Sequence, residues 1–108
     1  MKIDAFVTVM VSCRNEKRHI KACLDSILAQ DYPKDDLEVL VVDGMSDDGT
    51  RAIIEGYAMA HSFIRMLDNS RRITPCALNI GIKNAQGDIV LRSDAHSIYA
   101  SSYIKDFI

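Results

Sequence analysis

Asp94-Ala95-His96 sets a carboxylate and an imidazole two residues apart, directly after the apolar stretch 88–93. On extended backbone, residues i and i+2 project to the same side, so these two side chains are expected to converge on one cation. The chemistry that suits is a divalent metal holding a diphosphate. So short a triplet also recurs by chance and equally suits the cap of a following helix, so its meaning depends on its surroundings.

Three other apolar stretches are followed by polar loops: Cys13-Arg14-Asn15-Glu16, Asp43-Gly44-Met45-Ser46-Asp47-Asp48 and Asp68-Asn69. Carboxylates gathered at one rim repel one another unless a cation, basic side chains or ligand donors offset them; Arg14, Arg71, Arg72 and Arg92 are the candidates within the chain. Each acid also has an ordinary structural use. Asp43 and Asp48 suit turn and cap positions, Glu16 the first turn of a helix, and Asn69 a turn.

The elements that must carry these loops follow from periodicity. Residues 5–12, rich in Phe and Val, read as a central strand. Ile20, Cys23, Leu24, Ile27 and Leu28 then recur at helical spacing, which predicts a helix over about 16–30. Residues 37–43 form a second, nearly continuous apolar strand, and Asp48 is the expected N-cap of a helix burying Ile53, Ile54, Tyr57 and Ala58. Residues 63–67 make a third strand. Thr74 and Pro75 read as the N-cap and first-turn proline of a helix that turns Leu78, Ile82 and Ala85 inward, with Gly87 closing it in a left-handed cap. Residues 88–93 are the fourth strand, and Tyr103, Ile104, Phe107 and Ile108 begin a last helix.

Four β-α units without hairpin signals predict an α/β fold: a three-layer, Rossmann-like parallel sheet with helices on both faces, in one domain over 1–108. Ligands of such sheets sit beyond the carboxyl ends of the strands, where strand order reverses. All four polar loops follow strands and so belong to that edge.

The 108 residues are 48% hydrophobic, enough for one small folded core, and the formal charge of -2 offers no broad footprint for nucleic acid. Cys13, Cys23 and Cys76 are odd in number and form no CxxC pair, which points to reduced, buried thiols in a cytoplasmic protein. The apolar run at 1–11 is too short for a membrane span or signal peptide, so any membrane association is expected only through further C-terminal segments. A dinucleotide-binding domain would need glycines where Ser12-Cys13-Arg14-Asn15-Glu16 stands, and no Walker-type Gly-Lys-Ser/Thr occurs. Phosphate binding therefore falls to metal and arginine. A phosphotransfer receiver would want an acid pair after the first strand, where Glu16 is alone.

Taken in order, Val11-Ser12-Cys13-Arg14-Asn15-Glu16, residues 23–30, residues 41–50, Ala77-Leu78-Asn79-Ile80-Gly81 and Arg92-Ser93-Asp94-Ala95-His96 resemble a family 2 glycosyltransferase of the GT-A fold, most of all the bacterial exopolysaccharide, succinoglycan-type branch. The resemblance implies the donor-binding, N-terminal part of an enzyme that moves a sugar from a nucleotide-diphosphate sugar, foremost a UDP-sugar, to an acceptor hydroxyl with inversion. It places Asp43 at the donor base, with Cys13, Asn15 and Glu16 lining the same pocket. Ser46 and Asp48 fall in the family's polar turn, although Gly44 replaces its second acid and Met45 its glycine. By the same resemblance Arg72, Asn79 and Gly81 are expected to flank the nucleotide.

Asp94 matches the first acid of the family's Asp-x-Asp motif, at the ribose or the metal-bound diphosphate, and His96 stands where the second acid would be. Asp94 and His96 are thus the implied ligands of Mn²⁺ or Mg²⁺. An imidazole favours the softer ion and binds more weakly as it protonates. No catalytic residue is implied among these positions: the family's carboxylate base is expected beyond residue 108, so the chain is expected to be a truncated glycosyltransferase that transfers nothing alone and exposes surface for self-association. A nucleotide-binding or regulatory α/β module without transfer activity is the other reading.

Overall fold

The computed structural model describes residues 5–107. Its elements are β1 (Val7–Cys13), α1 (Ile20–Leu28), β2 (Leu37–Asp43), α2 (Thr50–Ala60), β3 (Ile64–Asp68), α3 (Thr74–Asn84), β4 (Ile89–Asp94) and α4 (Tyr103–Phe107). The four strands form one sheet in the order β3-β2-β1-β4, every neighbouring pair parallel. The β-α alternation thus gives the expected α/β sheet.

Strand alternation divides the core. Val7, Val9 and Val11 of β1, with Leu37, Val39 and Val41 of β2, pack against Ile20, Cys23, Leu24 and Ile27 of α1 and Ile54 of α2. Met10 and Val42 face the other way and pack with Ala77 of α3. Helices therefore cover both faces, and β2 is buried along its whole length, as a central strand of a parallel sheet must be. No described helix is long and apolar enough to cross a membrane.

Several local expectations change. Helix α1 begins at Ile20, not at Glu16. Lys17, Arg18 and His19 crowd its amino end with exposed basic side chains, which the helix dipole disfavours there. Gly49, at φ 102°, occupies the N-cap of α2, while Asp48 caps from one residue further out, its Oδ1 accepting from the Thr50 amide at 3.0 Å. Ile73 holds the N-cap of α3, which puts Thr74 inside the helix and leaves Pro75 in its first turn.

Helix α3 is also rotated from the expected face. Ile82 is 61% exposed, and the small residues Ala77 and Gly81 meet the sheet instead. The reason is close approach: a Cβ on Gly81 would lie 1.7 Å from Met10 Sδ. Gly87 does not adopt the left-handed conformation. It is a close-contact glycine, whose amide donates to Thr8 Oγ1 at 2.9 Å and whose added Cβ would lie 2.6 Å from the Thr8 nitrogen. In α4, Ile104 is buried and Phe107 exposed; Ile108 lies outside the described residues.

Candidate functional site

Register brings the strand ends to one level. Cys13 pairs with Asp43, Asp43 with Asp68, and Ser12 with Asp94. Strands β1, β2 and β3 succeed one another in one direction, and β4 then lies on the far side of β1, so strand order reverses between β1 and β4. A cavity of about 230 Å³ opens at that point. Its wall comes from all four loops and the start of α3: Ser12, Cys13, Arg14 and Glu16; Gly44; Asn69, Arg72 and Ile73; Thr74 and Ala77; Asp94 and His96.

Cys13, Glu16, Arg72, Asp94 and His96 are therefore together, as their types suggested. The means differ at the Asp-Ala-His triplet. Asp94 ends β4, and Ala95 and His96 form a turn closed by the Ser97 amide on the Asp94 carbonyl at 3.0 Å. Extended-backbone convergence does not operate here; the turn returns His96 to the cavity, where its Nδ1 lies 3.1 Å from Glu16 Oε2.

Asp43 has a different setting. Its side chain is fully buried and does not line the cavity. It accepts hydrogen bonds from the Ser46 amide (2.9 Å), the Ser46 hydroxyl (2.5 Å) and Arg51 (2.8 Å), and a longer one from the Cys13 thiol (3.4 Å). Burial pushes its carboxyl up more than any single contact, but these donors together hold it below the ordinary carboxylate value. Burial, and then the neighbouring Asp43 charge, push the Cys13 thiol far up, so it remains protonated as a donor and is not a nucleophile.

Arg51 also reaches Asp68 Oδ1 at 2.7 Å, tying the end of β2 to the end of β3. Sequence reasoning missed it. It lies within α2, outside any motif, and its role appears only when register puts Asp43 beside Asp68. The cations named beforehand do not make this pairing: Arg14 and Arg72 line the cavity without an ion-pair partner among the described residues.

Asn15, Ser46 and Asp48 brace one loop against another. The Asn15 amide donates to Ser46 Oγ at 2.8 Å, Asn15 Oδ1 accepts from the Asp47 amide at 2.9 Å, and Asp48 accepts from the Lys17 amide at 3.3 Å. Asn79 is exposed on α3, and Gly81 sits against Met10; neither lines the cavity. Asn69 is 2% exposed on the cavity wall. Its Nδ2 donates to the Ile73 carbonyl at 2.9 Å, while its Oδ1 has no partner among the described residues.

Among the described residues, three non-glycine residues hold left-handed backbone, Asn15 (φ 53°), Met45 (φ 59°) and Arg72 (φ 65°), one in each loop after β1, β2 and β3. Such strain, costing about 1–2 kcal/mol per residue for most side chains, concentrates where loops are held for function. Met45 stands where the resembled pattern has glycine, and its backbone keeps the conformation that glycine takes freely.

The described residues contain no group of three His, Cys, Asp or Glu side chains arranged to hold a metal by themselves. Asp94 and His96 bring one carboxylate and one imidazole to the cavity wall, residue types that would suit a borderline divalent ion held jointly with a ligand.

A family model described as Glycosyl transferase family 2 matches residues 8–108. The chain is 35% identical over 105 residues to a dolichyl N-acetyl-alpha-D-glucosaminyl phosphate 3-beta-D-2,3-diacetamido-2,3-dideoxy-beta-D-glucuronosyltransferase of Methanococcus voltae, covering 95% of the chain and 33% of that protein. It is 31% identical over 102 residues to the succinoglycan biosynthesis protein ExoA of Rhizobium meliloti, covering 93% and 31%. Among solved structures, a mannosyltransferase from Pyrobaculum calidifontis in complex with GDP-Man and Mn²⁺ superposes with a TM-score of 0.86 at 38% identity, over 93% of this chain and 30% of that one. TarS residues 1–349 of Staphylococcus aureus, in complex with UDP-GlcNAc, does so with a TM-score of 0.84 at 29% identity, over 94% and 29%. The chain spans about a third of the length of these two relatives, and 15% of the length of another, a glycosyltransferase of Streptococcus pneumoniae.

Proposed function

Since the chain belongs to glycosyl transferase family 2, we propose that its cavity binds the nucleotide diphosphate of a sugar donor, as the donor-binding part of an inverting glycosyltransferase of polysaccharide assembly. The observation that carries this is the convergence of all four post-strand loops on one cavity at the reversal of strand order. Arg14 and Arg72, without an ion-pair partner among the described residues, offer positive charge to a diphosphate there, and Asn69 Oδ1, unpartnered among the same residues, offers an acceptor to a ligand N–H or O–H.

Asp94 and His96 are the residues that would hold a divalent ion, Mn²⁺ in preference to Mg²⁺. When bound, such an ion neutralises charge on the departing diphosphate. Asp43, engaged by Ser46, Arg51 and Cys13, serves the donor by fixing the turn that presents Gly44 to the cavity. Asn15, Ser46 and Asp48 brace the same turn, and Asn79 and Gly81 contribute through the placement of α3. Nucleotide binding is the part of the reaction proposed for these 108 residues, and none of them is assigned as the acceptor base. Buried Cys13 and Cys23 fit a reducing, cytoplasmic setting.

Calorimetric titration with UDP, GDP and UDP-sugars, with and without Mn²⁺, tests the reading. At least one nucleoside diphosphate is expected to bind the folded chain, more tightly with Mn²⁺. Failure of every nucleotide to bind would overturn it.

A further inference from the structure

The side chain that meets His96 comes from the opposite loop. Glu16 Oε2 lies 3.1 Å from His96 Nδ1, and both residues line the cavity. Glu16 is the less exposed partner, with 23% of its side-chain surface accessible against 60% for His96, and its carbonyl accepts the His19 and Ile20 amides that start α1. The carboxylate is thus anchored on a helix start, while the imidazole sits in a short turn. A neutral imidazole has one N–H and one lone pair, and a carboxylate beside Nδ1 draws the proton to that nitrogen. Nε2 has no partner among the described residues and carries the lone pair. A ligating histidine is commonly held in this way, by a carboxylate on its other nitrogen that fixes tautomer and ring orientation.

We propose that Glu16 is the positioning residue for His96, taking its Nδ1–H and leaving Nε2 as the nitrogen that binds the divalent ion of a nucleotide diphosphate. The inference rests on the donor-binding reading above. It follows from the imidazole itself: an aspartate at this position would have no tautomer to fix.

Two measurements test it on the full chain. Nitrogen-15 spectra of the ring, without ligand, are expected to show the Nδ1–H tautomer of His96 in the wild type and a mixture in Glu16→Ala. Mn²⁺ titration at saturating UDP is expected to show affinity about tenfold weaker in Glu16→Ala, the lower end of the usual effect of removing such a partner. Glu16→Gln, which keeps an acceptor oxygen, should recover part of the loss, and Glu16→Ala in a His96→Ala background should change Mn²⁺ affinity less than twofold. A wild-type Nε2–H tautomer, or an equal loss in the His96→Ala background, would overturn the proposal. Should UDP not bind at all, the donor-binding reading fails, and the ligand-free tautomer still decides whether Glu16 orients the ring.

Discussion

Asp43 and Asp94 end parallel strands at nearly the same level of one sheet, separated only by β1, yet they differ in what is left for a ligand. Asp43 is sealed from solvent and meets donors from Ser46, Arg51 and Cys13. Asp94 is exposed at the cavity, whose wall also includes His96. A carboxylate without solvent must be satisfied by the fold, and having been satisfied it becomes a structural element. A carboxylate at an open rim keeps its lone pairs for a guest. Equal residue type and equal height on the sheet thus leave very different lone-pair capacity for a ligand, and burial sets the difference.

Removing the buried carboxylate should produce the largest effect. Asp43→Ala leaves Arg51 and the Ser46 donors facing a void, and unfolding free energy should fall by about 3 kcal/mol, read by urea denaturation. A loss under 1 kcal/mol would erase the distinction. This variant mixes folding with binding, so it cannot by itself report on nucleotide contact.

Acid titration sharpens the same contrast. The Asp43 carboxyl is held below its unfolded value of about 3.9. Its contribution is therefore fully present above that value and is lost as pH falls through the folded one, with a slope of at most about 1.4 kcal/mol per pH unit. Between pH 5 and 2 the wild type should lose stability more steeply than Asp43→Ala; parallel curves would show that Asp43 is not preferentially charged in the fold. Asp25 and Asp48 are also shifted down, but both are common to the two proteins and drop out of the difference.

A smaller gain should come from relieving the turn. Met45→Gly, at φ 59°, is expected to raise stability by about 0.5–1 kcal/mol, which a thermal melt would register. Least of all should stability respond at the rim: Asp94→Ala is expected to stay within about 0.5 kcal/mol of the wild type while Mn²⁺-dependent tightening of UDP disappears. A large stability loss there would place Asp94 with Asp43 as a structural acid.

Much of this was legible from the residues. Unbroken apolar runs gave the strands, and helical spacing placed Ile20, Cys23, Leu24 and Ile27 on the covered face of α1. What escaped depends on distances between elements. Ile82 reads as a core residue, but close approach of α3 to Met10 favours Ala77 and Gly81. Arg51 carries no motif, and its bridge exists because β2 and β3 bring Asp43 and Asp68 into register. Asp94 and His96 both reach the cavity, through a turn and not through the extended backbone that their spacing predicts. The family resemblance found the family; which acid is structural and which is free depends on burial, which the string of residues does not display.

The most direct test of the central claim is paramagnetic broadening of backbone amide signals by Mn²⁺ on the UDP-saturated chain. Broadening is predicted to center on residues 94–97 and on Glu16 and Lys17, leaving the amino-terminal start of β2 and the turn before it, at 34–38, sharp. Uniform broadening, or a center elsewhere, would contradict a metal–diphosphate site at the β1–β4 edge.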